Sequence, residues 1–255
     1  MYILEVEGDE EEILTRLFLT ATSGSMSENG VVSAYFDSPA DRDAALPLLE
    51  GFTTRAVDRD RVDWLELYQQ SLHPLFIGSR FVVAPDASLI PPDTDRIALV
   101  VPQEQAFGTG SHETTSLCIE LLESIDLRGK RGVDVGAGSG ILALAMLRLG
   151  AEKVVAFDND LDAYAALREN AMRNELHPSL FIGGIEALRG AEFDIATMNI
   201  VPEVIMAILP QLRTRELIVS GVLAERRDEV VAAMKEYDVV DERTKGEWWA
   251  ALTRK

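Results

Sequence analysis

Residues Arg131–Leu147 read RGVDVGAGSGILALAML and change character twice in seventeen positions. An apolar run carrying Asp134 gives way to a turn containing Gly136, Gly138 and Gly140, and the turn gives way to strong helix formers. A strand, a glycine turn and a helix in that order let backbone approach a ligand closely and point a helix N-terminus at it. KVVAFDND comes next, a second apolar run ending at Asp158, 20 residues after Gly138, with Asn159 directly behind it. An acidic group at that point of a β-α-β unit can accept both ribose hydroxyls of an adenosine.

Two ligands fit this outline. Nicotinamide dinucleotides prefer G-x-G-x-x-G, and here Ile141 stands where the third glycine of that motif belongs. Asp134 with the three glycines gives D-x-G-x-G-x-G instead, which resembles motif I of the class I methyltransferases that use S-adenosylmethionine. That ligand carries an ammonium, which an acidic residue near the turn suits. A tight turn with no ligand is the third reading, and Asp134, Asp158 and the surrounding strand pattern count against it.

Apolar runs recur on both sides of this stretch: RIALVV from Arg96, then SLFIGG, FDIATMN and ELIVSGV, mostly separated by helical stretches. Apolar strands alternating with helices predict a mostly parallel α/β sheet covered on both faces, Rossmann-like in outline. VVDERTKGEWWAALTRK differs, holding two strands around a short turn, and predicts an antiparallel C-terminal hairpin at the sheet edge. Ligands bind at the carboxyl ends of parallel strands. That places Ile185 and Glu186 of GGIEAL near an adenine ring and Asn199 of ATMNIVPE opposite the methyl donor. Asn199 could equally cap the helix that begins at Pro202.

Upstream, residues 1–57 alternate as β-α-β-β-α-β, with a hairpin turn at Asn29-Gly30, and predict a small α+β ferredoxin-like domain. Residues 58–95 read as a linker helix and docking segment, with Trp64, Leu65, Tyr68 and Leu72 at helical spacing and FVVAP as a short strand. Residues 96–255 form the nucleotide-binding domain.

The 255 residues carry a net charge of −19, and residues 1–66 hold 15 Asp and Glu against 5 Arg. This field repels nucleic acid and attracts basic partners, so no direct nucleic-acid binding is expected. No stretch approaches the ~20 apolar residues of a membrane span, and MYILEVEGDEEE lacks the basic flank and apolar core of a signal peptide. A single cysteine, Cys118 in the apolar helical run SLCIELL, excludes an intrachain disulfide and a cysteine-cluster metal site. A cytoplasmic monomer with no metal and no membrane partner is the expectation.

AFGTGSHETT (Ala106–Thr115) precedes the glycine turn. It is rich in glycine and hydroxyls, as phosphate loops are, but it lies before a core strand and carries no lysine. Together with D-x-G-x-G-x-G, Asn199-Ile200, the terminal GEWWAAL and DWLELYQQSLHP in the linker, it resembles the bacterial methyltransferases of ribosomal protein L-eleven, the PrmA family, over nearly the whole chain. The resemblance implies a substrate-recognition domain, a linker helix and a class I methyltransferase domain using S-adenosylmethionine. The partner it implies is a basic ribosomal protein, methylated on lysine side chains and its terminal amine. By position, Thr115, Gly136, Asp158 and Asn199 match cofactor-contacting residues of the family, and Phe107, Gly108, Thr109 and His112 belong to a loop over the methionine end of the cofactor. Asp134, Gly138, Asn159, Ile185 and Glu186 complete the expected cofactor set. The chain departs from the family at Gln103 and Glu104, where Pro-Gly is usual, and at Asn-Ile-Val-Pro in place of Asn-Ile-Leu-Ala.

Methyl transfer from a sulfonium to an amine is an in-line displacement in which orientation alone is worth about 7–11 kcal/mol. The acceptor is the difficulty, since holding a lysine as free amine at pH 7 costs on the order of 4–5 kcal/mol. Asn199 cannot act as a base, but its carbonyl can accept from the amine and aim the lone pair. His112 is either a proton acceptor or a residue that orders the loop. His73 and His177 receive no role. Competing functions are a class I methyltransferase of another substrate, a nicotinamide-dependent dehydrogenase and a non-catalytic binding module.

Overall fold

The computed structural model describes residues 2–28, 30–58, 73–102 and 112–255. Phe107, Gly108 and Thr109, the altered Gln103 and Glu104, Asn29 of the hairpin turn and the helix expected at residues 61–72 lie outside the described residues. The chain divides into two compact units, Met1–Ser71 and Leu72–Lys255.

The first unit runs β1 (Tyr2–Glu7), α1 (Glu10–Leu17), β2 (Gly24–Glu28), β3 (Val31–Phe36), α2 (Pro39–Ala45) and β4 (Thr53–Asp58). Its strands lie in the order β2-β3-β1-β4, with neighbours antiparallel. Both helices start on side-chain caps: Asp9 accepts from Glu12 N, and Ser38, followed by Pro39 at the first helical position, accepts from Asp41 N. Alternate residues of β1 and β3 (Leu4, Val6, Val32, Ala34, Phe36) bury one face of the sheet against Ile13 and Leu17 of α1 and Ala45 of α2.

The second unit begins with β5 (Leu75–Ile77), β6 (Phe81–Ala84) and β7 (Ile97–Val100), and then α3 (Glu113–Leu122). RIALVV was expected in the large parallel sheet. It forms β7 of a separate three-stranded sheet ordered β5-β6-β7, pairing parallel with β6. The cause is visible at Val100, whose N–H and C=O are both taken by the side chain of Asn174 rather than by a further strand.

The large sheet is built from β8 (Arg131–Val135), β9 (Lys153–Asp158), β10 (Ser179–Ile182), β11 (Phe193–Asn199), β12 (Thr214–Leu223), β13 (Asp238–Lys245) and β14 (Trp248–Arg254). Their order is β10-β9-β8-β11-β12-β14-β13. The first five are mutually parallel, and β14 and β13 close the edge as the expected antiparallel hairpin. Helices α4 (Ile141–Arg148), α5 (Leu161–Arg173), α6 (Pro202–Ile208) and α7 (Arg227–Ala233) connect the strands. One face buries Ile195 and Ile218 with Leu117, Leu121, Leu142 and Leu144; the other buries Val133, Val135, Leu217 and Val219 with Ile205 and Val230. That two-sided burial is why these strands read as continuous apolar runs. The strand order reverses between β8 and β11, the switch point at which open α/β sheets bind ligands. Among the described residues no helix is long and apolar enough to cross a membrane.

Candidate active site

At the carboxyl end of β8 the chain makes its glycine turn. Gly140, at φ 79°, stands in the left-handed region at the start of α4, and a Cβ there would overlap the side chain of Leu167 on α5. The third glycine of the motif thus serves helix packing. Asp134 is fully buried beneath the turn. Thr197 Oγ1 donates to Asp134 Oδ1 at 2.6 Å and Ala143 N donates to Oδ2 at 3.1 Å, so the carboxyl ties β8 to β11 and satisfies an amide in the first turn of α4. Burial pushes its pKa up to about 7, with Asp158 adding in the same direction and the two hydrogen bonds opposing. Asp134 is not part of the cavity wall described below.

Asp158 closes β9, and its carboxylate accepts from two backbone amides: Gly138 N at 2.9 Å and Asp160 N at 3.0 Å. Both oxygens are oriented by the turn and each keeps capacity for another donor. Beneath it, Phe157 stacks on Phe181 with centroids 4.8 Å apart.

A cavity of about 1280 Å³ opens over these strand ends. Gly136, Gly138, Asp158, Asn159, Ile185 and Asn199 all line it, and so does His112. Glu186 does not. It is exposed, with its carboxylate turned back beside Gly184. Thr115 is fully buried and reaches the cavity through Asn199, whose Nδ2 donates to Thr115 Oγ1 at 3.3 Å. The other amide atom, Asn199 Oδ1, is buried and has no hydrogen-bond partner among the described residues. A buried acceptor in that condition carries a desolvation cost of about 1–3 kcal/mol until a donor arrives.

His112 is the N-cap of α3. Its Nδ1 accepts from Thr114 N at 3.3 Å and lies 2.8 Å from Thr114 Oγ1. Its ring meets Trp248 edge to face, with centroids 4.9 Å apart. Cys118 is buried on α3, and burial drives its thiol pKa upward, so it is no nucleophile.

Among the wall residues not singled out individually in the sequence are Thr114, Trp248 and Gly221. Gly221, at φ 79°, interrupts the register of β12 against β14, and a Cβ there would collide with the backbone of Ile200. It lets the loop after Asn199 lie against β12. Glycine inside the apolar strand ELIVSGV was the available signal for such a close approach. Pro202, one of the departures from the family pattern, opens α6 at its first position, where a missing N–H costs nothing.

A sheet in this order, with an acidic strand end before the glycine turn, a second at β9 and an amide at the end of β11, is that of the class I methyltransferases. The fold and family imply S-adenosylmethionine use. The chain belongs to the ribosomal protein L11 methyltransferase (PrmA) family, whose profile matches residues 6–255. The ribosomal protein L11 methyltransferase of Pelobacter propionicus is 36% identical over 259 residues, covering 91% of this chain and 84% of that protein. That of Shewanella sediminis is 34% identical over 238 residues, covering 88% and 80%. Among solved structures, the ribosomal protein L11 methylase of Lactobacillus delbrueckii subsp. bulgaricus is similar with a TM-score of 0.66 at 26% identity, over 72% of this chain and 99% of that one.

Proposed function

We propose that this protein transfers methyl groups from S-adenosylmethionine to amino groups of ribosomal protein L11, on lysine side chains and the terminal amine. The observation that carries the reading is Asn199 Oδ1, a buried acceptor with no donor among the described residues, on a residue that lines the cavity at the sheet's switch point. A methyl acceptor that is an amine brings the missing N–H.

The residues present fit the cofactor. Asp158, held by Gly138 N and Asp160 N, offers two oriented oxygens to a ribose diol. Ile185 supplies an apolar wall for the adenine, Asn159 a polar one, and Gly136 and Gly138 let the backbone come close. Asp134 acts from below by fixing the turn, and Glu186 lies off the wall, turned back beside Gly184. Phe107, Gly108 and Thr109 are assigned to the loop over the methionine end on the strength of the family resemblance. When bound, S-adenosylmethionine supplies a methyl group already activated by its sulfonium.

Within that frame the chain's own work is orientation. Asn199, held at Nδ2 by Thr115, aims the amine lone pair through Oδ1. His112 orders the start of α3. Its Nδ1 accepts from Thr114 N, so that lone pair is committed to the cap. The ammonium proton of the incoming lysine is therefore assigned to solvent rather than to His112. Residues 1–57 recognise the substrate, with 58–95 as linker and docking segment and 96–255 as the catalytic domain. The acidic character of residues 1–66 suits a basic ribosomal protein.

Calorimetric titration tests the cofactor. S-adenosylmethionine should bind with one site per chain and NAD should not, and binding of NAD alone would overturn the reading in favour of the dehydrogenase.

A further inference from the structure

Two asparagines one helical turn apart join the small sheet to the glycine turn. Asn174, the C-cap of α5, and Asn170, within α5, are both buried. The Asn174 amide pairs with Val100 as a strand would: Val100 N donates to Oδ1 at 2.8 Å, and Nδ2 donates to Val100 O at 2.8 Å. The same Nδ2 donates to the carbonyl of Asn170 at 2.8 Å. Asn170 Nδ2 in turn donates to Ser139 O at 2.9 Å, inside the turn. Arg148 Nη2 donates to Asn174 O at 2.9 Å, which pins the far end of α4 to the same point.

The turn's first-turn groups are thereby divided between two side chains. Ala143 N is taken by Asp134 and Ser139 O by Asn170. Gly138, next to Ser139, is the residue whose amide orients Asp158. A displacement of β7 at Val100 therefore has a continuous route of hydrogen bonds and short covalent links to the group assigned to the ribose. Buried amide networks of this kind are rigid when satisfied and costly when broken. Every link from Val100 to Ser139 is made by amide groups, so none of these links titrates.

We infer that Asn170 and Asn174 are positioning residues: they couple β7, the strand leading into residues 103–111, to the glycine turn, and so set cofactor affinity without touching the cofactor. The consequence for affinity rests on the proposed cofactor reading, while the coupling itself does not.

The test is amide hydrogen exchange on the full chain, wild type against Asn174→Ala, together with titration of S-adenosylmethionine. Asn174→Asp, which keeps the shape and the acceptor but loses both donors, serves if the alanine variant unfolds. Exchange should quicken not only at Val100 and Val101 but at Gly138 and Gly140, and cofactor binding should weaken by about three- to thirtyfold. Turnover at saturating cofactor should stay within about twofold, because the reacting groups are untouched. Quickened exchange confined to Val100 and Val101, with wild-type affinity, would overturn the inference and leave Asn174 a local strap. If the wild type binds no S-adenosylmethionine, the cofactor reading fails, and exchange at the two glycines still decides the coupling.

Discussion

Asn199 Nδ2 donates to Thr115 Oγ1 at 3.3 Å, joining the end of β11 to the first turn of α3 and leaving Asn199 Oδ1 buried with no donor among the described residues. If that oxygen aims the acceptor amine, Asn199→Ala lowers turnover by about a hundredfold, the cost of losing orientation at the reacting centre. Affinity for S-adenosylmethionine changes little. Thr115→Val keeps the shape but frees Nδ2, and gives a smaller loss in the same direction. Steady-state kinetics beside calorimetry separate the two effects, and full turnover in Asn199→Ala would remove the assignment.

His112 separates capping from proton transfer. Asn is a good N-cap residue, so His112→Asn should retain both stability and turnover, whereas His112→Ala should cost about 1 kcal/mol in thermal unfolding. A dead His112→Asn variant that still binds cofactor would restore His112 as the proton acceptor.

Asp134 gives stability a pH dependence of unusual sign. Its native pKa is about 7, above the ordinary carboxylate value, because the group is buried. Between about pH 4 and 7 the native state therefore holds a proton that the unfolded chain has released, and stability falls as pH rises through that window, by on the order of 4 kcal/mol from this group, levelling off above it. Asp134→Asn keeps the shape and carries no charge. Relative to wild type it should gain stability progressively from pH 4 to 7. Denaturant melts across that range check this, and parallel pH profiles of the two proteins would refute it.

Gly221→Ala tests the packing behind Asn199. The added Cβ meets the backbone of Ile200 rather than a movable side chain, and φ 79° is costly for any L-residue. The loop carrying Asn199 must shift, so turnover should fall by at least about tenfold while the circular dichroism spectrum stays that of the wild type. Unaltered turnover would show that the loop has slack.

Most of this architecture was legible because parallel strands buried on both faces, such as ELIVSGV, leave apolar runs. Asp158 and Asn199 were found by their places at strand ends. RIALVV was misplaced for a physical reason: an apolar run of that length does not encode its partner, and Val100's hydrogen bonds go to Asn174, 74 residues away. Trp248 and Gly221 were missed because their roles arise only where β14 and β12 bring them against His112 and Ile200. Glu186 sat in the right loop, but its exposed side chain turns back beside Gly184 and leaves Ile185 as the residue on the wall.

Methyl transfer to a ribosomal protein leaves a mass change that can be read on the substrate. Purified protein, S-adenosylmethionine and ribosomal protein L11 should be incubated together and the substrate read by intact mass, with the other large-subunit proteins as controls. The account predicts that L11 gains mass in whole methyl increments, mapped to lysine side chains and the terminal amine. It also predicts that the gain is strongly slowed in Asn199→Ala. No mass gain on L11 from an enzyme that binds the cofactor would contradict it.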